Sequence, residues 1–343
     1  MSYFYLEGVL VDGTFIAIFV DTSLILHKFK KSSAMKHVIL PIIGAVCALS
    51  MQGTSPVPPI QQADGGSIDR QYIYSPQLGE KWTVDVWLPD GYDTAKDTRY
   101  PVIYMHDGQN LFDPATTWNH QAWEMDSVTT SLIKKDLIES PIIIGIHSHA
   151  DRRKGDLMPQ KAVEGTTMTY AQIDSLMGGI PIRGDAYARF IAETLKPHID
   201  SIYRTLPDVS NTTVMGSSMG GLMSIYAMSE YPDVFGNAIC MSTHWIGNPD
   251  QSEAFAKAMY RYLDKNLPRD GKHKLYLDHG TETLDSLYGP WEEMMIGLVK
   301  TCGYASPETL ETYIDHGGAH TETSWAARVD RPLLFVLGKK QGK

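Results

Sequence analysis

The segment TTVMGSSMGGLMSIYAM, residues 212–228, begins as a strand and ends as a helix, with glycines and serines between them. Three readings compete for such a junction: an ordinary tight turn, a phosphate cradle, or the seat of a nucleophile. A phosphate cradle would end in Lys followed by Ser or Thr, and this stretch has no lysine. Gly216-Ser217-Ser218-Met219-Gly220 instead has the form G-x-S-x-G in a strand–turn–helix context, which is what a nucleophile elbow requires. A turn this sharp holds Ser218 in a strained conformation, and larger side chains at the flanking positions would strike the neighbouring strand or helix. It lifts the Ser218 hydroxyl over the carboxyl edge of the sheet. It also turns the Met219 N–H towards a place where an oxyanion can be stabilised. Ser217 reads as a small residue tolerated in the turn.

The elements around this junction define the fold class. WTVDVWLP (82–89) alternates and is expected to be a half-buried antiparallel strand. YPVIYMHDG (100–108) and PIIIGIH (141–147) are short continuous apolar runs, the pattern of strands covered on both faces. DAYARFIAETLKPHIDSIY (185–203) has helical spacing, with Pro197 a possible restart. Further strands are expected at FGNAICMS, HKLYLDHG and TLETYID, with helices at PWEEMMIGLVKTCG and TSWAARVDRPLLFVLG. Strands and helices alternating at this size form an α/β fold, a mostly parallel central sheet with helices on both faces.

A serine hydroxyl is a weak nucleophile, so a base and an orienting acid should follow it in the chain. HGGAHTE after the TLETYID strand offers His316 and His320. His320, beyond two glycines and before a helix, suits a loop reaching back to Ser218, whereas His316 at the strand end is expected to pack or cap. For the acid, Asp285 lies in a loop roomy enough to turn towards His320. Glu282 is the alternative, and Asp278, still inside the strand pattern, stands third. The second oxyanion donor is expected from the loop after the third strand, YMHDGQNLFD, at the amide of Gln109. Trp118, Trp123 and Trp245 are either core residues or lining for an acyl or sugar pocket, and Trp123 and Trp245 are carried as candidate substrate contacts. The insertion around MGGIPIRG (177–184) is expected to form part of a substrate cleft.

The chain of 343 residues has 43 % hydrophobic and 20 % charged residues, which argues against disorder. A formal charge of −10 weighs against nucleic acid as a partner. Of the three cysteines, Cys240 and Cys302 read as small buried hydrophobes rather than a disulfide pair. From Met35, MKHVILPIIGAVCALSMQG runs basic, apolar, then small, the order of a secretory signal. Residues 35–50 are therefore expected to be a signal peptide cleaved after Ser50. Lipoprotein anchoring through Cys47 is disfavoured by Val46 before it. Residues 1–34 read as an upstream extension, the other reading being a membrane segment at 9–26. Residues 51–66 read as a Pro/Gly/Gln-rich linker, and 67–338 as the folded domain. The implied location is periplasmic or secreted, with no stable membrane span in the mature form. His147-x-His149 with Asp151 has metal-like spacing, but loop histidines at a sheet edge more often contact substrate or solvent, so no metal is expected.

Taken together, RYPVIYMHDGQNLFDPATTW, PIIIGIHSHADRR, VMGSSMGGLMSIYAMSEYPDVFGNAICMS, LDHGTETLD and HGGAHTETSWAARVDRPLLFVL resemble the putative-esterase family of the α/β-hydrolases. That branch includes feruloyl and acetyl-xylan esterases (carbohydrate esterase family one), siderophore trilactone esterases and mycolyl-transferring enzymes. The resemblance covers roughly residues 70–338. It implies Ser218 as nucleophile, His320 as base, Asp285 as acid, and Gln109 and Met219 as oxyanion donors. Many members place the acid three residues after the glycine, where this chain has Thr283. The implied activity is cofactor-free hydrolysis of a small-molecule or oligosaccharide ester, with plant cell-wall acyl-sugars leading. A siderophore esterase or acyltransferase, and an inactive carbohydrate-binding module, are the alternatives.

Overall fold

A computed structural model describes residues 6–11, 14–19, 60–117, 119–247 and 252–339. It separates into two compact units, residues 1–58 and 59–343. In the first, Leu6–Val11 pairs antiparallel with Thr14–Phe19, Leu6 opposite Phe19. The expected signal peptide at 35–50, with Cys47, lies outside the described residues, as do residues 51–59 of the expected linker. No helix among the described residues is long and apolar enough to cross a membrane.

The second unit is built on eight strands: β1 (Gly66–Ser75), β2 (Glu80–Pro89), β3 (Val102–His106), β4 (Ile142–Ile146), β5 (Thr212–Ser217), β6 (Asn237–Met241), β7 (Lys274–Gly280) and β8 (Leu310–Asp315). They lie in the order β8-β7-β6-β5-β3-β4-β2-β1. β2 runs antiparallel to both β1 and β4, and every other neighbouring pair is parallel. The runs expected to be covered on both faces, β3 and β4, are buried along their whole length. Alternate side chains feed two separate cores. Val102, Tyr104 and Val214 point into one, Ile103, Met105 and Met215 into the other, as the period of two along a strand demands.

Three expectations change. β2 is not half-buried: Trp82, Val84 and Val86 enter one core and Trp87 the other, so both its faces are covered. It carries Asp85 fully buried, compensated by Arg70, His147 and Gln61. Residues 60–66 are not a free linker: Gln61 is buried and its amide donates to both Asp85 Oδ2 and Gly108 O at 2.8 Å. The C-terminal helix is two, Glu322–Ala326 and Asp330–Leu337. Pro332 cannot donate to the carbonyl of Arg328 and its ring would crowd it, so the helix restarts just before the proline.

Four longer helices flank the sheet, α1 (Met125–Lys134), α2 (Met219–Glu230), α3 (Ser252–Asn266) and α4 (Gly289–Thr301). The 185–203 pattern forms a continuous helical segment over 184–202, with a π turn at Phe190–Leu195. Pro197, which has no N–H to give, lies two positions beyond the end of that turn. Cys240 and Cys302 are free and buried.

Candidate active site

β5 ends at Ser217 and α2 starts at Met219, so Ser218 alone makes the turn. Its φ of 57° and ψ of −121° are strained for a residue with a Cβ. The backbone is held on both sides. Ser218 N donates to Met241 O at 3.0 Å and Ser218 O accepts from His244 N at 3.2 Å. The glycines have a measurable reason. A Cβ on Gly216 would lie 2.8 Å from the Gly220 carbonyl carbon, and one on Gly221 would lie 2.7 Å from Thr243 Oγ1. The amide of Met219, as the first residue of α2, has no partner in its own helix.

The other expected groups come from loops at the carboxyl ends of neighbouring strands, the edge where parallel α/β sheets bind ligands. Gln109 follows β3, in a short 3-10 turn preceded by Asp107 at φ 58°. Its side chain is tied both ways to Ser148, donating to Oγ at 2.9 Å and accepting from N at 3.0 Å. Gly108 rests directly on the Gly145–Ile146 peptide, where a Cβ would fall 2.3 Å from the Gly145 carbonyl carbon. The β3 end and the elbow helix touch, since a Cβ on Gly220 would lie 3.3 Å from that of His106. Asp107 is buried and takes a two-pronged ion pair from Arg153, at 2.6 and 2.7 Å. Burial pushes the Asp107 carboxyl up, but the Arg153 charge outweighs it and holds the group below the usual range.

Asp285 follows β7 and His320 follows β8. His320 Nδ1 and Asp285 Oδ1 are 2.5 Å apart, with the carboxylate fully buried. Asp285 Oδ2 accepts from the Gly280 amide at 2.6 Å and from Ser242 Oγ at 2.5 Å. Burial pushes this carboxyl up, and the hydrogen bonds from His320, Ser242 and Gly280 bring it below its ordinary value. The two loops are stitched together: Thr281 and Glu282 amides both donate to Gly318 O at 2.9 Å, and His320 N donates to Thr283 Oγ1 at 2.8 Å. Glu282 is exposed, Asp278 is engaged by Arg328, and His316 is exposed rather than packed. The His320 ring meets Trp325 and Tyr288 edge-on, at centroid distances of 5.0 and 5.7 Å. No direct hydrogen bond joins Ser218 to His320; the Ser218 side chain neighbours the Tyr288 hydroxyl and favours its ionisation.

The tryptophans are a correction. Trp123 and Trp245 are 1 % and 0 % exposed, so they belong to the core rather than to a substrate cleft. Trp123 stacks on Trp325 at 5.1 Å and backs the residue that faces His320. Trp245 donates its indole N–H to the buried Glu292. Trp118 lies outside the described residues. His147 Nε2 is bound to Asp85 at 2.9 Å and His149 packs edge-on against Trp82, so the metal-like spacing does not converge on one point. Among the described residues no group of three His, Cys, Asp or Glu could hold a metal ion.

Sequence reasoning missed Ser242, His244, Tyr288 and Arg328, all within one or two contacts of Asp285 or Ser218. His244 had a usable signal, since it sits in the loop directly after a buried strand at the carboxyl edge.

The sheet order, the elbow and the loops at one edge define an α/β-hydrolase fold. Residues 75–333 match the family described as Putative esterase, and the chain belongs to that family. The protein YjcH of Bacillus subtilis (strain 168) is 28 % identical over 179 residues, 52 % of this chain and 62 % of YjcH. The chain thus matches less than two thirds of that relative's length. A ferulic acid esterase structure aligns over 81 % of this chain and 99 % of its own, with a TM-score of 0.58 and 16 % identity. The enterobactin esterase of Shigella flexneri aligns over 82 % of this chain and 62 % of its own, with a TM-score of 0.59 and 16 % identity. At those identities the two structures share the fold with this chain.

Proposed function

We propose that the protein is an exported serine esterase that cleaves carboxylic esters through Ser218, His320 and Asp285. The observation that carries this reading is the 2.5 Å contact between His320 and a buried, hydrogen-bonded Asp285, together with a serine held at positive φ in the elbow. Asp285 fixes the imidazole with Nδ1 protonated and leaves Nε2 to accept a proton. His320 Nε2 then takes the Ser218 proton as Oγ attacks the ester carbonyl carbon. The amides of Gln109 and Met219 receive the oxyanion. The carbon–oxygen bond to the alcohol breaks, and the alcohol leaves with the proton from His320. Water, activated by the same imidazole, attacks the acyl-enzyme and releases the acid and Ser218. Asp285 stays ionised throughout and stabilises the imidazolium.

The substrate class we favour is acyl-sugar esters of the plant cell wall, feruloyl or acetyl. Membership of the esterase family and likeness in fold to a ferulic acid esterase support it, as does a sequence that carries a signal-like segment. The experiment is a panel of methyl ferulate, acetylated xylan, p-nitrophenyl acetate and a trilactone siderophore compared by kcat/KM, with Ser218→Ala as control. Preference for ferulate or xylan acetate supports the substrate class; preference for the trilactone overturns it. Full turnover of p-nitrophenyl acetate by Ser218→Ala overturns the mechanism.

A further inference from the structure

The reading of Ser218 as nucleophile leaves one buried group beside it unused. Tyr288 is fully buried at the head of α4, and its amide donates to Asp285 O at 2.9 Å. Its ring stands edge-on to His320, and its hydroxyl lies 2.8 Å from His244 Nδ1. The other nitrogen of His244, Nε2, is 2.8 Å from Gly247 O. A carbonyl only accepts, so Nε2 must carry hydrogen. Burial pushes His244 down to about 4, so at neutral pH the ring is neutral and Nδ1 is a bare acceptor. Tyr288 therefore donates its one hydrogen to His244 and has only lone pairs to offer elsewhere. The neighbour on that side is Ser218, whose own backbone carbonyl accepts from His244 N at 3.2 Å. His244 thus holds the nucleophile residue through the main chain and is hydrogen-bonded to Tyr288, the neighbour of its side chain.

We propose that Tyr288, oriented by His244, is a positioning residue for the Ser218 hydroxyl. This rests on Ser218 being the nucleophile. Accepting the serine hydrogen has two consequences. It fixes the Ser218 side chain in one rotamer before substrate arrives, and it keeps a competing donor off the Oγ lone pair that must attack. The hydrogen passes to His320 Nε2 when the ester occupies the site, so Tyr288 neither gains nor loses a proton in the reaction. Were the tyrosine hydrogen released from His244, it would turn to Ser218 Oγ and blunt that lone pair.

The test uses the full-length protein and p-nitrophenyl acetate, with kcat expressed per site counted by end-point phosphonylation. Tyr288→Phe is expected to lower kcat about five- to tenfold, the scale of one neutral hydrogen bond, while KM stays near that of the wild type. His244→Leu, which frees the tyrosine hydrogen, is expected to lower kcat at least as far. His244→Asn puts an amide oxygen in place of Nδ1 and should recover most of that loss. The Tyr288→Phe/His244→Leu double variant should be no slower than the worse single variant, because the two residues act as one device. Losses that multiply, a Tyr288→Phe kcat equal to that of the wild type, or no recovery with Asn overturn the proposal. If Tyr288→Phe does not fold, the two His244 variants decide it. Inert Ser218→Ala with a normal Tyr288→Phe removes this device alone, whereas active Ser218→Ala removes both it and the mechanism beneath it.

Discussion

Arg328 grips Asp278 with two nitrogens, Nε to Oδ2 at 2.9 Å and Nη2 to Oδ1 at 3.1 Å, in a pair that is almost wholly buried. Nη2 also donates to Ser242 Oγ at 2.9 Å, and Ser242 in turn donates to Asp285. The pair therefore forms the floor on which Asp285 rests. Replacing Arg328 with Met leaves the buried Asp278 carboxylate, among the described residues, with the Tyr276 hydroxyl and the Ser242 amide as its partners. The expected cost is about 3–5 kcal/mol, the usual penalty for orphaning a buried ion. Urea denaturation checks it, and an unchanged midpoint would mean that water or a rearranged side chain replaces the guanidinium.

Asp285 and Glu282 are three positions apart but have opposite surroundings. Asp285→Asn keeps the shape but lets an amide N–H face His320 Nδ1, which favours the wrong imidazole tautomer. A fall in kcat of about 10³–10⁴ is expected, as for the equivalent change in other serine triads. Glu282→Gln, at an exposed position, should leave kcat within about twofold. Steady-state kinetics on both variants make the assignment, and the reverse pattern would transfer the acid to Glu282.

What the sequence made legible follows from how local each feature is. The elbow is written in five consecutive residues, because Gly216 and Gly220 meet each other and Ser218 alone takes the positive φ. The interior strands are equally local, since VIYMH and IIIGI have no polar face to expose. The choice among Asp278, Glu282 and Asp285 is not local. It depends on a 3-10 turn over Thr283–Leu287 that opens with Thr283 at φ 51°, turning Asp285 inward and leaving Glu282 outside. The fates of Trp123 and Trp245 depend on Trp325 and Glu292, far along the chain, so composition alone left them undecided. The partnership of His244 with Tyr288 spans 44 residues and has no sequence signature.

The two flanking glycines of the elbow should not be equally sensitive. A Cβ on Gly216 meets backbone at 2.8 and 2.9 Å, whereas one on Gly220 finds its nearest neighbour, a side-chain carbon, at 3.3 Å. Gly216→Ala must push strand and helix apart, at a cost of about 1–3 kcal/mol, and Gly220→Ala should cost less. Thermal midpoints should fall in the order wild type, Gly220→Ala, Gly216→Ala. A more stable Gly216→Ala would show that the elbow relaxes in a way these contacts do not convey.

Glu292 lies on α4 with one carboxylate oxygen taking the Trp245 N–H and the other, Oε1, without a hydrogen bond. Burial pushes its carboxyl up to about 8, with the charges of Asp278 and Asp285 adding in the same direction. The sign follows from linkage. In the unfolded chain the group ionises near 4.5, whereas in the folded protein it keeps its proton until about 8. Over that interval the folded state binds the extra proton, so stability declines as pH rises. Glu292→Gln retains an oxygen for the indole N–H and cannot ionise. The midpoint of the wild type relative to the Gln variant should therefore drop steadily between pH 5 and 8 and level off above. A difference that does not change with pH would mean that the carboxylate is already ionised in the folded protein at pH 5, and that Trp245 binds it as an anion.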